Sequence, residues 1–238
     1  MNVSFEGKIV LVAGGTGGLG RAVSLAFLGE GAEVAVTYRS GAEFGSLRQA
    51  AGEHDASLAG HVVDVTDEAA VRGLVDAIVE RHGRLDVVVN TVGGYAGGIK
   101  LWELETKTFE KMLALNLRSG YALGRAAAAV MLKQKSGALV NVAAKAAVDH
   151  GGGASAYAAS KAAAVAMMDS LAEDLKGTGV RVNSILPSII DTDANRKAMP
   201  DADFAKWPKP EDIAKVVLFL ASEEARVVHG ASVPVYGS

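Results

Sequence analysis

Two residues that could move a proton, Tyr157 and Lys161, lie four positions apart in the sequence. Residues at this spacing share one face of a helix. A free phenol has a pKa of about 10, and a nearby ammonium favours the phenolate and lowers that value. The pair therefore predicts a general acid for a reduction, or a general base for an oxidation. A solvated helix face would also explain the spacing, but five of the positions from 158 to 164 are alanine.

A glycine-rich loop far upstream predicts a second property, the binding of phosphate groups. The loop reads Gly14-Gly15-Thr16-Gly17-Gly18-Leu19-Gly20. It follows an apolar run at 8–13 and precedes a helical pattern at 19–29, so a helix N-terminus can face an anion. We expect Gly14 to allow the tight turn, Gly18 to let the backbone approach a pyrophosphate, and Gly20 to let the helix pack closely.

The elements that must position these residues alternate along the chain. Strands are predicted at 8–13, 33–37, 57–63, 85–90, 138–142, 180–186 and 232–235. Helices are predicted at 19–29, 67–82, 106–133, 154–176 and 210–222, the third of them broken near Asn116. The alternation predicts an α/β fold, a Rossmann-type doubly wound parallel sheet of about seven strands with helices on both faces. We expect a single domain over residues 1–238, with a substrate lid at 187–210.

The composition excludes several kinds of function. The chain has 238 residues, a net charge of −3 and no cysteine, which rules out disulfides and thiolate chemistry. We expect no metal site. The interspersed charges lack the basic field of a nucleic-acid or membrane-surface protein. No signal-peptide pattern is evident and no apolar run is long enough to span a bilayer, so a cytoplasmic protein is expected.

The spacing Gly-x-x-x-Gly-x-Gly, with Tyr157-x-x-x-Lys161 downstream, resembles the short-chain dehydrogenase/reductase family over essentially the whole chain. The resemblance implies that the glycine loop binds a dinucleotide and that Lys161 also binds the nicotinamide ribose. In the loop, the positions implied to contact the cofactor are Gly14, Thr16, Gly17, Gly18, Leu19 and Gly20.

Further positions match the family in order along the chain. Asp64 and Val65 resemble the pair that meets the adenine, and Asn116 resembles the asparagine that holds a water beside the lysine. The altered Asn-Asn-Ala-Gly motif and the segment near the nicotinamide carboxamide supply the remaining implied cofactor residues, which are Asn90, Val92, Gly93, Pro187, Ile190 and Thr192.

The end of the second strand predicts which nicotinamide is used. An acid there would bind the ribose hydroxyls of NAD(H) and repel a 2′-phosphate. This chain has Tyr38-Arg39-Ser40 instead, and Arg39 can pair with a phosphate. The sequence therefore favours NADP(H), with NAD(H) as the alternative. Arg39 as an ordinary surface charge is the competing explanation.

One position departs from the family pattern. The family usually places a serine thirteen residues before the tyrosine, where this chain has Ala144. Three interpretations follow. The protein could bind dinucleotide without catalysis, another donor such as Lys145, His150 or Ser155 could replace the serine, or the substrate could be electrophilic enough to need none.

The third interpretation has support from a branch of the family. The dihydropteridine reductases also have alanine at this position, and their quinonoid substrate accepts hydride readily. The stretches 137–149 and 191–207 resemble that branch. In the lid, Arg196 and Trp207 are candidate substrate residues, although packing of the lid is an equally good explanation for each. The branch normally uses NADH and has an acid after its second strand.

Two helical stretches predict self-association. The segments 117–133 and 154–176 are small and apolar around their circumference, which indicates burial on more than one side. A homodimer or homotetramer through these helices is expected. Burial of the helices by the lid of the same chain is the competing explanation. The complete prediction is an NADPH-dependent reductase of dihydropteridine-like quinonoids, in which Lys161 lowers the pKa of Tyr157 and Asn116 supports a proton relay. The alternatives are a carbonyl reductase and a non-catalytic dinucleotide sensor.

Overall fold

A computed structural model describes residues 3–237 and contains a seven-stranded parallel sheet of order β3-β2-β1-β4-β5-β6-β7. The strands are β1 (Ile9–Ala13), β2 (Glu33–Tyr38), β3 (Leu58–Val62), β4 (Val87–Asn90), β5 (Gly137–Val142), β6 (Val180–Pro187) and β7 (Ser232–Val235). The predicted Rossmann-type architecture is confirmed, and the predicted strand bounds differ from these by at most two residues.

Residues 3–237 form eight α-helices. They are α1 (Gly18–Gly29), α2 (Gly41–Ala51), α3 (Glu68–His82), α4 (Thr106–Leu113), α5 (Ser119–Gln134), α6 (Ser155–Asp174), α7 (Asp193–Ala198) and α8 (Pro210–Ala221). Helix α1 packs against α8 on one face, while α3, α5 and α6 cover the other.

Burial on both faces explains why the strand sequences are almost continuously apolar. All five residues of β1 are buried. Val10 and Val12 belong to the core under α1 and α8, whereas Ile9 and Leu11 belong to the core under α3 and α5. Successive side chains of a strand point to opposite faces, so each face needs its own apolar set.

The break predicted near Asn116 is confirmed as one turn of π-helix. Residues 114–118, between α4 and α5, form this turn, and Asn116 within it is buried. Such π-bulges shift the register of a long helix, and they occur frequently at functional sites. Here the shift turns the Asn116 side chain toward the loop that follows β4.

Two helices were missing from the sequence prediction. Helix α2 buries only Leu47 and Ala51, so its apolar periodicity is too weak to reveal it. Its beginning does carry a signal, because the Ser40 hydroxyl caps the helix by accepting a hydrogen bond from the Glu43 amide. Helix α7 lies inside the predicted lid at 187–210, where the sequence prediction had no helix.

Within residues 3–237, no helix is both long enough and apolar enough to cross a bilayer. Among the same residues, no three histidine or acidic side chains come together in a group that could hold a metal ion.

Candidate active site

The loops that follow β1, β4, β5 and β6 meet at the carboxyl edge of the sheet. The sheet order places β1 between β2 and β4, so the connections after β1 and β4 leave the sheet toward opposite faces. In open α/β sheets this switch point forms a crevice, and ligands bind in it. The glycine loop and Tyr157 both belong to segments at this edge.

Contacts from two neighbouring strands hold the glycine loop in a tight turn. Gly14 has a positive φ of 74°, a conformation that favours glycine. Its amide donates to the Thr37 hydroxyl at 2.9 Å, and the Thr91 hydroxyl donates to the Ala13 carbonyl at 2.7 Å. A methyl group on Gly20 would lie 2.1 Å from the Gly14 oxygen, so only glycine fits at this position in the first turn of α1.

The N-terminus of α1 has the properties of an anion site. Its N-cap is Gly17, and no side chain caps the helix. Its first N–H groups therefore remain available, and the helix dipole favours negative charge at this end. A methyl group on Gly18 would lie 2.7 Å from Cγ2 of Thr192, so the lid reaches the glycine loop directly. These features fit a dinucleotide pyrophosphate.

Lys161 is buried at the centre of the site. Only 5% of the residue is exposed, and its Nζ donates to the Val142 carbonyl at 2.9 Å. Burial lowers the pKa of its ammonium from 10.5 to about 8. Since Nζ makes this single hydrogen bond within residues 3–237, two of its three donors remain for a ligand hydroxyl.

The pKa of Tyr157 is raised, whereas the sequence predicted that it would be lowered. Burial, followed by the influence of Tyr95, raises its pKa from 10.0 to about 12, and Lys161 is not among the causes. The prediction that Lys161 lowers this pKa is therefore wrong for the protein alone. The reason is desolvation of the half-buried phenol, which disfavours the phenolate.

Tyr95 was not singled out in the sequence, yet it contacts the candidate acid. The Tyr95 and Tyr157 rings meet edge to face, with centroids 5.0 Å apart and planes at 78°. Tyr95 is 70% exposed, so it lies at the mouth of the crevice. The amide of Ile99 also donates to the Gly153 carbonyl at 3.1 Å, which joins the Tyr95 loop to the loop before α6.

Asn116 connects the loop after β4 to α6. Its Oδ1 accepts from the Gly94 amide at 2.9 Å, and its Nδ2 donates to the Gly94 carbonyl and the Ser160 hydroxyl, both at 3.0 Å. A methyl group on Gly93 would lie 2.9 Å from Asn116 Oδ1 and 3.2 Å from Lys161 Nζ. The structure thus brings Gly93, Asn116 and Lys161 together.

Asn90 and Val92 of the altered motif make their contacts within the protein. Asn90 Nδ2 donates to Asn141 Oδ1 at 3.0 Å, and Asn90 Oδ1 accepts from the Val92 amide at 3.2 Å. A methyl group on Gly14 would lie 3.0 Å from Val92 Cγ2, so this side chain packs against the glycine loop. Asn90 therefore shapes the loop through buried hydrogen bonds.

Ala144 is buried two residues beyond the end of β5, and the structure orients two of the proposed replacement donors elsewhere. Lys145 pairs with Asp149 at 3.1 Å and lies 5.4 Å from the Tyr236 ring centroid. His150 Nε2 lies 3.2 Å from the Ala147 carbonyl. The Ser155 hydroxyl, near the start of α6, is buried without a hydrogen-bond partner in the described part of the chain.

The expected adenosine end of the crevice carries both signs of charge. Arg39 is exposed, and it contributes to lowering the pKa of Asp64, although hydrogen bonds from Thr66 are the larger causes. Val65 is buried in the core and contributes no side-chain polarity. The Thr16 hydroxyl donates to Oε2 of Glu43 at 3.1 Å, a contact that was not anticipated.

The beginning of the lid runs from β6 across the glycine loop. Pro187 ends β6, and the Ile190 carbonyl accepts from the Thr192 amide and from Asn195 Nδ2, both at 2.8 Å. The Thr192 hydroxyl accepts from the Asn195 amide at 3.2 Å and caps α7. The hydrogen bonds of the Thr192 amide and hydroxyl hold this residue over Gly18.

The two candidate substrate residues of the lid contact other lid residues. Arg196 pairs with Asp191 through two hydrogen bonds of 2.5 and 2.8 Å, which lower the pKa of that carboxyl. Its guanidinium also lies 4.8 Å from the Phe204 ring centroid. Trp207 packs on the same ring, with centroids 4.9 Å apart. In this structure both residues stabilise the lid itself.

The chain is similar in sequence to a group of reductases and dehydrogenases. A family model described as "Enoyl-(Acyl carrier protein) reductase" matches residues 13–237. The 3-oxoacyl-[acyl-carrier-protein] reductase FabG of Thermotoga maritima is 31% identical, with 98% of this chain and 97% of the relative covered. The D-threitol dehydrogenase of Mycolicibacterium smegmatis is 32% identical, with 98% and 92% covered.

Solved structures agree with this placement. A short-chain type dehydrogenase/reductase from Mycobacterium ulcerans superposes with a TM-score of 0.93 at 27% identity, covering 99% of this chain and 90% of the other. ElxO with NADP bound gives 0.91 at 27% identity, covering 97% of each chain. NAD⁺-bound xylitol dehydrogenase gives 0.90 at 26% identity, covering 98% and 99%.

Proposed function

The chain belongs to the short-chain dehydrogenase/reductase family, and we propose that it is a reductase that uses NADPH in preference to NADH. One observation carries the proposal: the buried ammonium of Lys161, with two donors to spare, lies beside Gly93 at the crevice that the glycine loop enters. NADP in the ElxO structure and NAD⁺ in xylitol dehydrogenase support a nicotinamide cofactor in this chain.

Residues of three segments would hold the cofactor. The N–H groups at the beginning of α1 would face the pyrophosphate, and the free donors of Lys161 would bind ribose hydroxyls. Arg39 has the charge to accept a 2′-phosphate. When bound, NADPH supplies the hydride of the reaction. The proton must then come from the protein.

Tyr157 is proposed as the proton donor. A phenol with a pKa of about 12 is fully protonated at neutral pH, as a reductase requires of its acid. When bound cofactor and substrate exclude water from the crevice, the positive charge of Lys161 would act more strongly on the tyrosinate formed as the proton leaves Oη. Asn116 is proposed as a positioning residue, because its hydrogen bonds to Gly94 and Ser160 link the crevice loop to α6.

For the substrate we propose a dihydropteridine-like quinonoid heterocycle. Ala144 offers no hydroxyl to polarise a carbonyl, and a missing donor of that kind costs on the order of 3 kcal/mol in the transition state. A conjugated imine that gains aromatic character on reduction does not need that donor. The lid sequence supports the same branch, since 191–207 resembles the lid of dihydropteridine reductases.

A carbonyl reductase is the second candidate. The FabG relative covers almost the whole chain, and its printed name describes reduction of a 3-oxoacyl group. In that case another donor must replace the serine, and the buried, unpartnered hydroxyl of Ser155 is the candidate that the structure leaves available. A protein that binds dinucleotide without catalysis is the third outcome that the experiment below can reveal.

The decisive experiment assays purified protein with quinonoid dihydropterin and with a panel of ketones and 3-oxoacyl thioesters, each with NADPH and NADH. We expect turnover of the quinonoid, and a drop of about 10²–10⁴-fold in kcat for Tyr157→Phe with unchanged NADPH affinity. Turnover of ketones alone would favour the second candidate. Binding of NADPH without any turnover would leave only the sensor.

Two further variants sharpen this test. Ala144→Ser restores the family's hydroxyl, and it should raise activity on ketones by more than tenfold while changing quinonoid turnover little. Arg39→Asp should shift the cofactor preference toward NADH, because an acid at this position repels a 2′-phosphate. An unchanged preference would refute the role of Arg39.

We also propose that the protein is a homodimer or homotetramer. An open cavity of about 570 Å³ lies on the outer face of α4, α5 and α6, and its lining is mainly apolar. The lining residues are Glu110, Leu113, Ala114, Leu117, Arg118, Tyr121 and Met167. Burial of this face by a second copy would bring the segments 117–133 and 154–176 of both copies into contact, as the sequence predicts. A single domain over 1–238, closure of the lid and a cytoplasmic location remain proposals of the same kind.

A further inference from the structure

The carboxylate of Glu43 contacts the glycine loop, although no acid stands directly after β2, where the sequence is Tyr38-Arg39-Ser40. Glu43 lies in the first turn of α2, and its Oε2 accepts from the Thr16 hydroxyl at 3.1 Å. Strands β1 and β2 are paired neighbours, so the loops that follow them are adjacent in space. Glu43 therefore reaches from the β2 loop to the loop that would bind the dinucleotide.

Local structure holds Glu43 in this position. The Ser40 hydroxyl caps α2 by accepting from the Glu43 amide at 3.4 Å. An acid in the first turn is also favoured by the helix dipole. The backbone of Glu43 is thus fixed by the cap and its carboxylate by Thr16, although the side chain is exposed to solvent.

We propose that Glu43 is a specificity residue that keeps NADH acceptable to this enzyme and limits its preference for NADPH. The inference rests on the proposed use of a nicotinamide dinucleotide. In this fold a carboxylate beside the adenosine ribose accepts hydrogen bonds from its hydroxyls and repels a 2′-phosphate. Glu43 supplies such a carboxylate from the first turn of α2, four residues beyond Arg39.

The surrounding charges support this role. Arg39 is exposed, and its charge acts on Asp64, whose pKa it helps to lower, so it can also attract a phosphate. Asp64, the other acid near it, has its Oδ1 bonded to the amide and the hydroxyl of Thr66. Two carboxylates and one guanidinium therefore border this end of the crevice, and Arg39 alone does not make it positive.

The test measures dissociation constants of NADPH and NADH directly, without any substrate, for the wild type and for Glu43→Gln. We expect the variant to improve the NADPH-to-NADH affinity ratio on the order of tenfold, because one repulsive charge is removed. Raising the salt to about 0.5 M should shrink the difference between the two proteins. Glu43→Asp retains the charge, so its ratio should stay within about threefold of the wild type.

The matched control is Glu53→Gln, which makes the same chemical change on a side chain that is 90% exposed and points at His54. This control should leave the ratio unchanged. An unchanged ratio in Glu43→Gln, or an equal change in both variants, would overturn the inference while the proposed function stands. If the wild type bound neither nicotinamide, the proposed function itself would fall and the inference with it.

Discussion

Lys161 is required for the proposed chemistry, yet its burial should destabilise the folded protein. Its pKa falls from 10.5 to about 8, so keeping the ammonium in the folded state at neutral pH costs about 3 kcal/mol relative to an exposed lysine. Lys161→Met replaces the ammonium by an apolar chain of similar length. The substitution leaves the Val142 carbonyl without its donor, which costs about 1 kcal/mol. We expect a net gain of roughly 2 kcal/mol in the free energy of unfolding at pH 7.

The sign of the pH dependence distinguishes this mechanism from better packing. Between about pH 8 and 10.5 the unfolded state keeps the proton that the folded state releases, so wild-type stability rises with pH. At pH 9.5 most of the cost has disappeared, and the advantage of Lys161→Met should fall by roughly 2 kcal/mol. The variant and the wild type should then be about equally stable.

Urea unfolding at pH 7 and pH 9.5, at one fixed protein concentration, measures both quantities. The control is Lys176→Met, which removes a lysine whose side chain is 70% exposed and should change stability by less than about 0.5 kcal/mol at either pH. A destabilised Lys161→Met at pH 7, or the same stability difference at both pH values, would refute the reasoning. The variant should also lose reductase activity.

Two other substitutions test contacts in the crevice. Tyr95→Phe keeps the edge-to-face packing but removes an ionisable neighbour of Tyr157. The pKa of Tyr157 should therefore fall below about 12, and the alkaline limb of the kcat–pH profile should move to lower pH. If the limb does not move, Tyr95 does not raise the pKa of Tyr157. Gly18→Ala would place a methyl group 2.7 Å from Thr192 and should weaken NADPH binding at least tenfold. The control is Gly73→Ala in α3, where the added methyl group meets nothing within 4 Å. This control should bind NADPH normally and gain about 0.5–1 kcal/mol in the free energy of unfolding. Equal NADPH affinities in the two alanine variants would show that the lid does not constrain the glycine loop.

Features that depend on local pattern could be read directly from the sequence. Apolar runs such as the one in β1 predict a sheet covered on both faces, because a strand buried on two sides needs an apolar residue at every position. The glycine loop is equally legible, since the positive φ of Gly14 and the close packing at Gly20 exclude other residues. Helix α2 escaped detection because it buries only two residues, although the Ser40-x-x-Glu43 cap was visible.

Only the tertiary structure decided the electrostatics of the site and the targets of its side chains. The four-residue spacing of Tyr157 and Lys161 predicted a lowered phenol pKa, but burial among distant segments raises it to about 12. Arg196 was a candidate for substrate binding, yet it pairs with Asp191 and Phe204 in the lid. The contact between Thr16 and Glu43 joins residues 27 positions apart. Desolvation and through-space contacts depend on what other parts of the chain bring to a residue, and local sequence does not contain that information.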